Sequence, residues 1–375
     1  MPRLIFSLAT PDDDDALRRL LRDNVMEGGI SVSFRREPSY FLTSSVQGEQ
    51  AEIYKGCNVE TGEIAVLGSR FRRAAYFNGK RETLGYLADL RLNRRYRSGR
   101  CLFRAYRELG NVIAADPLPL HTSMILHDNA AALSTIAANR RGMPHYIPQG
   151  LVHTPFIRLA RPRRPIAPEG VELRFGRAGE EGELTDFLNR EAARRQFAPH
   201  YEPADWHNGR LRGLSVGDVC IARRDGRIVG ALAGWDQHGF RQIHVERYNG
   251  LWHLGKPLYN AAARLLRLPL LPDEGGTIRY GYLALTAVEK DDADVYRALL
   301  RAQYIRCRKL GWHYMVGSMH ENDPLLPVMN EYPHLAAGGR LFVVAFDTPP
   351  EPDGRVPYVE AARFKAARLE RQEAV

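Results

Sequence analysis

GYLADLRLNRRYRSGR, residues 85–100, begins with the same four letters as GYLALTAVEKDDADVY, residues 281–296. The alternation of apolar residues predicts that each segment begins as a β-strand. Further along, LHDN begins at Leu126 and MHEN begins at Met319, so the histidine follows the first glycine by 42 residues in one half and by 39 in the other. Two landmarks at similar offsets predict an internal tandem repeat of one α/β domain.

The composition is that of a globular chain with room for two domains: 375 residues, 44% hydrophobic and 26% charged. There is no uninterrupted apolar run of roughly 18 residues and no basic start followed by an apolar stretch, so we expect a cytoplasmic protein without a membrane partner. Four cysteines lie far apart without CxxC spacing, which predicts free thiols and no metal site. A net charge of +9 favours an anionic partner, which could be nucleic acid, acidic lipid or a phosphorylated small molecule.

The order of predicted elements is the same in the two halves. Each has a strand, a helix, a meander that enters the GYLA strand, a second helix and further strands. RPRRPIAPEG, residues 161–170, is rich in proline and arginine and predicts a linker. We therefore predict domains at 1–161 and 171–348, a linker at 162–170, and a tail at 349–375. The end of the tail, PYVEAARFKAARLERQEAV, predicts a lone amphipathic helix.

Arginines crowd the turn that follows the first GYLA strand, and residues 90–107 contain no acid. These arginines are Arg91, Arg94, Arg95, Arg97, Arg100, Arg104 and Arg107. A turn from strand to helix exposes unpaired backbone amides and the positive end of the helix dipole, which favours a phosphate site. A solvated helix face and a nucleic-acid patch are the alternatives. GxxxxGK[ST] and GxGxxG spacings are missing, so ATP and NAD are disfavoured.

LADLRLNRRYRSGRCLFRAY, residues 87–106, resembles the acyl-CoA loop of the GNAT acetyltransferase superfamily, and HDNAAA, residues 127–132, resembles its later Asn-x-x-Ala segment. The resemblance covers roughly residues 3–160 and 171–347. LTAVEKDDADVYRALLRA and HENDPLL resemble the second repeat of uncharacterised bacterial tandem members. The resemblance implies two GNAT-like domains, each with a mixed, mostly antiparallel central sheet flanked by helices. It also implies an N-acyltransferase that uses acetyl-CoA or CoA as co-substrate and acts on an amine by direct transfer.

The resemblance assigns cofactor contacts residue by residue. Arg97 matches the first arginine of the family's R-x-x-G-x-G/A loop, but Arg100 and Leu102 stand where glycines are expected, and Gly99 lies one place early. The implied pyrophosphate contacts come from the backbone amides of Arg97, Ser98, Gly99, Arg100, Cys101 and Leu102. The strand residues Leu90, Arg91 and Leu92 are expected to bulge and align the pantetheine. Asn129 is expected to contact the pantetheine arm or the adenine end.

Acyl transfer to an amine needs a base for the amine and a proton for the leaving thiolate. Asp89 is the candidate base, and a carboxylate that braces neighbouring arginines is the alternative. The family's usual tyrosine, seven residues past the asparagine, is Ile136 here, so Tyr146 is the substitute candidate acid, with core packing as the alternative. His121 and His127 are predicted to be structural.

In the second half the equivalent turn, EKDDAD at residues 289–294, places four carboxylates where pyrophosphate would bind. We therefore expect that half to have lost the cofactor and the chain to bind one CoA. Two other functions remain open: a non-catalytic acyl-CoA sensor and an aminoacyl-tRNA-dependent transferase. The acceptor is expected to be a small-molecule or peptide amine. Nucleic acid is disfavoured because no long basic stripe is present, and a homodimer is compatible with the sequence.

Overall fold

The computed structural model describes residues 3–96, 99–127, 129–137, 142–266 and 268–363. The strands in this part of the chain are β1 Leu4–Leu8, β2 Ile30–Arg35, β3 Gln50–Asn58, β4 Ile64–Phe77, β5 Lys80–Leu92, β6 His121–Leu126, β7 His145–His153, β8 Phe156–Arg158, β9 Glu172–Phe175, β10 Val219–Arg224, β11 Arg227–Trp235, β12 Gln242–Tyr248, β13 Tyr280–Val288, β14 Tyr314–Val316, β15 Met319–His320, β16 His334–Leu335 and β17 Gly338–Ala345. The helices are α1 Asp14–Asp23, α2 Ser44–Gln47, α3 Gly99–Ala115, α4 Ala130–Ala137, α5 Glu181–Ala192, α6 Leu251–Leu266, α7 Ala293–Lys309 and α8 Leu326–Met329.

The first sheet has the order β1-β3-β4-β5-β6-β17-β7-β15. Strands β1, β3, β4 and β5 pair with one another in this order, all antiparallel. The next pair, β5 with β6, is parallel. Asn78 and Gly79 join β4 to β5 with φ of 50° and 78°, as a tight two-residue hairpin turn requires. The predicted mixed, mostly antiparallel sheet is confirmed.

Helices cover both faces of this sheet. Val66 of β4 packs with Cys101 of α3, whereas the next residue, Leu67, packs with Leu17 of α1. Successive residues of a strand point to opposite faces, so α1 and α3 lie on opposite sides of the sheet. We refer to these below as the α1 face and the α3 face.

The second sheet has the order β16-β8-β14-β13-β11-β10-β9 and repeats the same plan. Strands β9, β10, β11 and β13 are antiparallel neighbours, and β13 pairs with β14 in parallel. This correspondence agrees with the internal repeat that the sequence predicts.

The two sheets exchange strands. β8 belongs to the first half of the chain but pairs with β14, while β17 from the second half lies between β6 and β7. LVHTPFIRL, residues 151–159, has an apolar pattern that alone would suggest one strand, but the chain leaves the first sheet at Thr154 and Pro155 and enters the second. Proline has no amide to donate and restricts the residue before it, which favours a break there. The domain boundaries stay a prediction, but neither sheet is built from one half alone.

The tail passes between the halves. Residues 357–360 are not helical, and Ala361–Arg363 form a short 3-10 turn, so the predicted terminal helix is wrong for this part. Val359, Glu360 and Arg363 are buried there, so the tail supplies core and ion-pair contacts instead of a surface helix. Residues 364–375 lie outside the described part of the chain.

Candidate functional site

The first glycine of each GYLA segment is required by a ring that lies against it. A Cβ atom on Gly85 would lie 2.1 Å from Cδ2 of His121, and one on Gly281 would lie 2.0 Å from Cζ3 of Trp312. Both distances are far below any normal contact, so a side chain at either position would displace the next parallel strand or the ring. The shared glycine therefore has the same packing role in both halves.

A separation of parallel strands follows each of these glycines. Along the described residues of β5 and β6, pairing occurs at Gly85–His121 and Tyr86–Thr122 and then ends. In the second half, β13 and β14 pair last at Tyr282–Val316. Beyond these pairs β5 continues toward α3 and β13 toward α7 without further backbone pairing to the parallel neighbour. Oγ of Ser123 in β6 still donates to the carbonyl of Leu87 in β5 at 3.0 Å. We call the region between β5 and β6 past this contact the slot.

Beside the slot, β5 contains a bulge. Ala88 pairs with Ser69 and Arg91 with Leu67, so Asp89 and Leu90 together face one residue of β4. Asp89 has φ of 58°, a left-handed conformation that is uncommon outside glycine. The bulge thus lies at the beginning of the segment in which the sequence predicts it. Its counterpart in the second half is Leu285, with φ of 52°.

The candidate base Asp89 is held by two side chains from the segment between β2 and α2. Arg36 donates from Nη2 to Oδ2 of Asp89 at 2.5 Å, and the hydroxyl of Tyr40 donates to the same oxygen at 3.2 Å. The side chains of Asp89 and Arg36 are only 5% and 7% exposed. Asp89 therefore braces a buried arginine from another segment. Its role as a base stays a prediction.

Sequence analysis did not identify Arg36 and Tyr40. The guanidinium of Arg36 lies over the ring of Tyr40 at 4.4 Å. Burial and the carboxylate of Asp89 raise the pKa of Tyr40 above its usual value, so its hydroxyl remains a donor. No local motif marks either residue, because their partner is more than 45 positions away in the sequence.

The candidate acid Tyr146 lies in a different place. Its hydroxyl is 2.9 Å from the hydroxyl of Tyr106 in α3, and its ring packs edge-to-face on Phe342 of β17. Burial raises the pKa of Tyr146 well above the usual value. Tyr146 therefore lies on the α3 face, whereas Asp89, bound to Tyr40, lies on the α1 face. The structure does not bring the two candidates together.

The strand residues predicted to contact the cofactor divide into an exposed position, Leu90, and two half-buried ones, Arg91 and Leu92. Leu90 is exposed at the bulge, and Arg91 donates from Nη1 to the carbonyl of Leu90 at 2.8 Å. Leu92 packs beside Cys101 in the core under β4. Burial raises the pKa of the Cys101 thiol, which fits a packing role for this side chain.

Arg97 and Ser98 of the predicted phosphate turn lie outside the described residues. Gly99 and Arg100 are exposed at the beginning of α3, and Leu102 is half-buried. Helix α3 is 17 residues long, and the unpaired amides and the dipole at the N-terminus of such a helix favour an anion.

Other predicted residues have structural contacts. Oδ1 of Asn129 accepts a hydrogen bond from the amide of Ala132 at 3.2 Å and so caps α4. Its contact with the cofactor stays a prediction. Nε2 of His121 accepts from Nε of Arg70 at 3.1 Å, and burial and Arg70 lower the pKa of His121 to about 3. His121 is therefore neutral, in line with the predicted structural role. No group of three or more His, Cys, Asp or Glu among the described residues is arranged to hold a metal ion.

In the second half the equivalent backbone amides are already bonded by carboxylates of the chain itself. Oδ1 of Asp292 accepts from the amides of Asp294 and Val295 at 3.0 and 3.2 Å, so the first amides of α7 are already capped. The bulge amide of Leu285 donates to Oε1 of Glu360 in the tail at 2.6 Å. A phosphate and a thioester oxygen would have to displace these two carboxylates.

The acids of this second turn are also paired with arginines. Asp291 accepts from Arg195 at 2.5 Å and from Arg194 at 3.1 Å, and Asp292 lies 3.4 Å from Arg224. Mutual repulsion, the reason inferred from the sequence, is therefore weakened by these partners. Occupation of the amides is the stronger reason to expect no CoA here. A cavity does remain beside Leu285, and its lining includes Arg194, Arg195 and Asp291.

No protein-family model and no curated protein matches the sequence. Solved structures match the fold over nearly the whole chain. A GCN5-related N-acetyltransferase from Sphaerobacter thermophilus is 14% identical with a TM-score of 0.57, and the match covers 94% of this chain and 98% of that one. N-myristoyltransferase from Saccharomyces cerevisiae, solved with bound myristoyl-CoA and inhibitors, is 11% identical with a TM-score of 0.62, covering 92% and 81%. A GCN5-related N-acetyltransferase from Anabaena variabilis is 9% identical with a TM-score of 0.50, covering 91% and 72%. At these identities the likeness establishes the fold, which is that of GCN5-related N-acetyltransferases.

Proposed function

We propose that this chain is an acyl-CoA-dependent N-acyltransferase that binds one acyl-CoA in its N-terminal half and transfers the acyl group directly to an amine. The observation that carries the proposal is the path of β5. This strand leaves its parallel neighbour after Tyr86, bulges at Asp89, and leads through the arginine-rich turn into the N-terminus of α3. The slot suits an extended pantetheine arm, and the turn suits the pyrophosphate.

The thioester supplies an activated acyl group and a thiolate leaving group. The chain must hold the amine on the α1 face, where Asp89 lies, and accept its proton as the C–N bond forms and the C–S bond breaks. We assign to the backbone amides at the bulge the stabilisation of negative charge on the carbonyl oxygen. The guanidinium of Arg36 lies against Asp89 and stabilises negative charge on this carboxylate. Tyr146 stays the candidate acid, with solvent as the other source of the thiol proton.

Calorimetric titration with CoA and acetyl-CoA tests the site. We expect one site per chain, and a large loss of affinity in Arg97→Glu and in Arg100→Glu, because each change reverses a charge beside the pyrophosphate. Arg227→Glu is the matched control: it makes the same charge change beside the second half's turn, where Arg227 is exposed 3.8 Å from Glu289. Two equivalent sites, or wild-type affinity in both N-terminal variants, would contradict the assignment.

A non-catalytic acyl-CoA sensor is the second candidate, and the distance of Tyr146 from Asp89 across the sheet favours it. Both candidates predict CoA binding, so turnover separates them. Release of free thiol from acetyl-CoA or longer acyl-CoAs, measured with a panel of amino acids, polyamines and peptides, is expected only of the enzyme. Filter binding with tRNA over a salt series tests the aminoacyl-tRNA-dependent alternative.

A further inference from the structure

Helix α6 exposes its apolar side to solvent. Its leucines are among the most exposed large apolar side chains of the protein: Leu251 is 76% exposed, Leu254 74%, Leu258 76%, Leu265 84% and Leu266 62%. Spacings of three, four and seven residues place these leucines on one side of a helix. We call them the leucine stripe. Ala261 and Ala262 are also exposed and extend the same side.

Three polar side chains of α6 contact instead the segment at residues 269–273, which follows the helix. Nδ2 of Asn260 donates to the carbonyl of Leu271 at 3.1 Å, and the amide of Leu271 donates back to Oδ1 of Asn260 at 2.9 Å. Lys256 pairs with Asp273 at 2.7 Å, and the hydroxyl of Tyr259 donates to the carbonyl of Pro269 at 3.1 Å. These contacts fix the rotation of the helix. The leucine stripe therefore cannot turn inward without breaking them.

The N-terminus of α6 is anchored to the first half of the chain. The side chain of Asn249 donates to the carbonyl of Gly28 at 2.7 Å. The ring of Trp252 packs directly on Gly29, since a Cβ atom added there would lie only 2.8 Å from Cδ1 of the ring. Glu27, in the same loop, lies 3.8 Å from Arg94 of the arginine-rich turn. The helix that carries the leucine stripe is therefore anchored on the loop at residues 27–29, and this loop also contacts the arginine-rich turn of the proposed acyl-CoA site.

The charge of the helix selects the occupant. Helix α6 itself contains no acid, although Asp273 and Glu274 lie in the segment that follows it. Lys256 is paired with Asp273, whereas Arg264 is exposed beside the leucine stripe. A second copy docked through a two-fold axis would place two such acid-free helices against each other, so like charges would meet. An anionic lipid surface would bury the leucines among the acyl chains and attract the cations at the headgroups.

We propose that α6 docks the protein on an anionic lipid surface, with the leucine stripe buried and Arg264 at the headgroups. This inference does not depend on the acyltransferase activity. It changes the expectation of no membrane partner that the absence of a long apolar run suggests. Along the described residues, no helix is long and apolar enough to cross a membrane.

The full chain is mixed with vesicles of equal parts phosphatidylcholine and phosphatidylglycerol, and with vesicles of phosphatidylcholine alone, and the bound fraction is measured by sedimentation. We expect binding to the anionic vesicles that weakens with salt. The double variant Leu254→Gln with Leu258→Gln is expected to reduce the partition coefficient by about 100-fold, since each leucine contributes about tenfold on burial. The matched control is Leu8→Gln with Leu310→Gln, which are 53% and 49% exposed outside α6. This control should bind as wild type does.

Four results would overturn the proposal. The wild-type protein could fail to sediment with anionic vesicles, or the α6 double variant could bind as well as wild type. Equal binding to both kinds of vesicle would remove the role of charge and with it the choice of anionic lipid. A wild-type dimer in light scattering that the α6 double variant converts to a monomer would assign the stripe to a second copy of the chain. Because the substituted leucines are exposed, the variants should fold, which circular dichroism checks.

Discussion

Asp89→Asn separates the two roles open to Asp89, since it removes the charge but keeps the size of the side chain. Asparagine also tolerates the left-handed backbone at this position, where φ is 58°, so the change adds no backbone strain. What is lost is the charge that faces Arg36. That guanidinium is 7% exposed and lies 2.5 Å from Oδ2 of Asp89.

The expected cost in stability is large. At an effective dielectric constant near 20, two unit charges about 4 Å apart attract by about 4 kcal/mol, and removing one partner of a buried pair costs about 3 to 5 kcal/mol. We expect Asp89→Asn to lower the free energy of unfolding by about 3 kcal/mol. The double variant Asp89→Asn with Arg36→Met removes both charges of this pair. Its loss should be at least about 1.5 kcal/mol smaller than the sum of the single losses.

Urea denaturation followed by tryptophan fluorescence measures these energies. Asp15→Asn is the matched control, because Asp15 is 69% exposed and paired only at the surface, and it should cost less than about 0.5 kcal/mol. If Asp89→Asn is as stable as wild type, the reasoning from the buried pair is refuted. If its turnover also falls by about 100-fold or more while CoA affinity is unchanged, Asp89 acts as the base as well.

Three further outcomes follow from the packing and the charges. Gly85→Ala should lower the free energy of unfolding in urea by about 3 kcal/mol, because the added Cβ would lie 2.1 Å from His121. Gly68→Ala is the control: its Cβ would have nothing within 4 Å, so the loss should be less than about 1 kcal/mol. Equal losses would contradict the close-contact argument. Burial and Arg70 hold the pKa of His121 at about 3. The unfolded chain therefore binds this proton first, and stability should fall as pH drops from about 6.5 toward 3, by at most about 1.4 kcal/mol per pH unit. His121→Asn should reduce the difference between urea midpoints at pH 7 and pH 5, and an unchanged difference would assign it to other groups. Asp292→Ala removes the cap of α7 and should lower stability by about 1 kcal/mol in thermal unfolding, so an unchanged midpoint would show that the cap contributes nothing.

Local periodicity and turn chemistry predicted much of the fold. The Asn78-Gly79 turn, the strand that begins at Gly85 and the helix that follows it each depend on neighbouring residues, so a short window of sequence contains the signal. The likeness of the two halves was readable for the same reason, since both contain the tetrapeptide GYLA. The bulge was expected near Leu90 through the resemblance of the motif.

The contacts that define the site depend on distant partners. Arg36 and Asp89 are 53 positions apart, and Leu285 and Glu360 are 75 apart. No periodic pattern specifies which arginine meets which carboxylate across such distances. The tail shows the same limit: its helical periodicity predicted a surface helix, but burial of Glu360 against the amide of Leu285 and against Arg363 gives residues 357–360 a different conformation.

The exchange of strands explains why the second half is needed even if it binds no cofactor. β17 lies between β6 and β7, so without it β6 would keep only its short pairing with β5, and β7 would keep only its pairing with β15. β6 is one wall of the proposed acyl-CoA slot, and Phe342 of β17 packs against Tyr146. The tail adds Arg363, which donates to the carbonyl of Val46 on the α1 side of the first half. The first half therefore completes its own slot only with strands and side chains from the second, and the two halves should unfold as one cooperative unit.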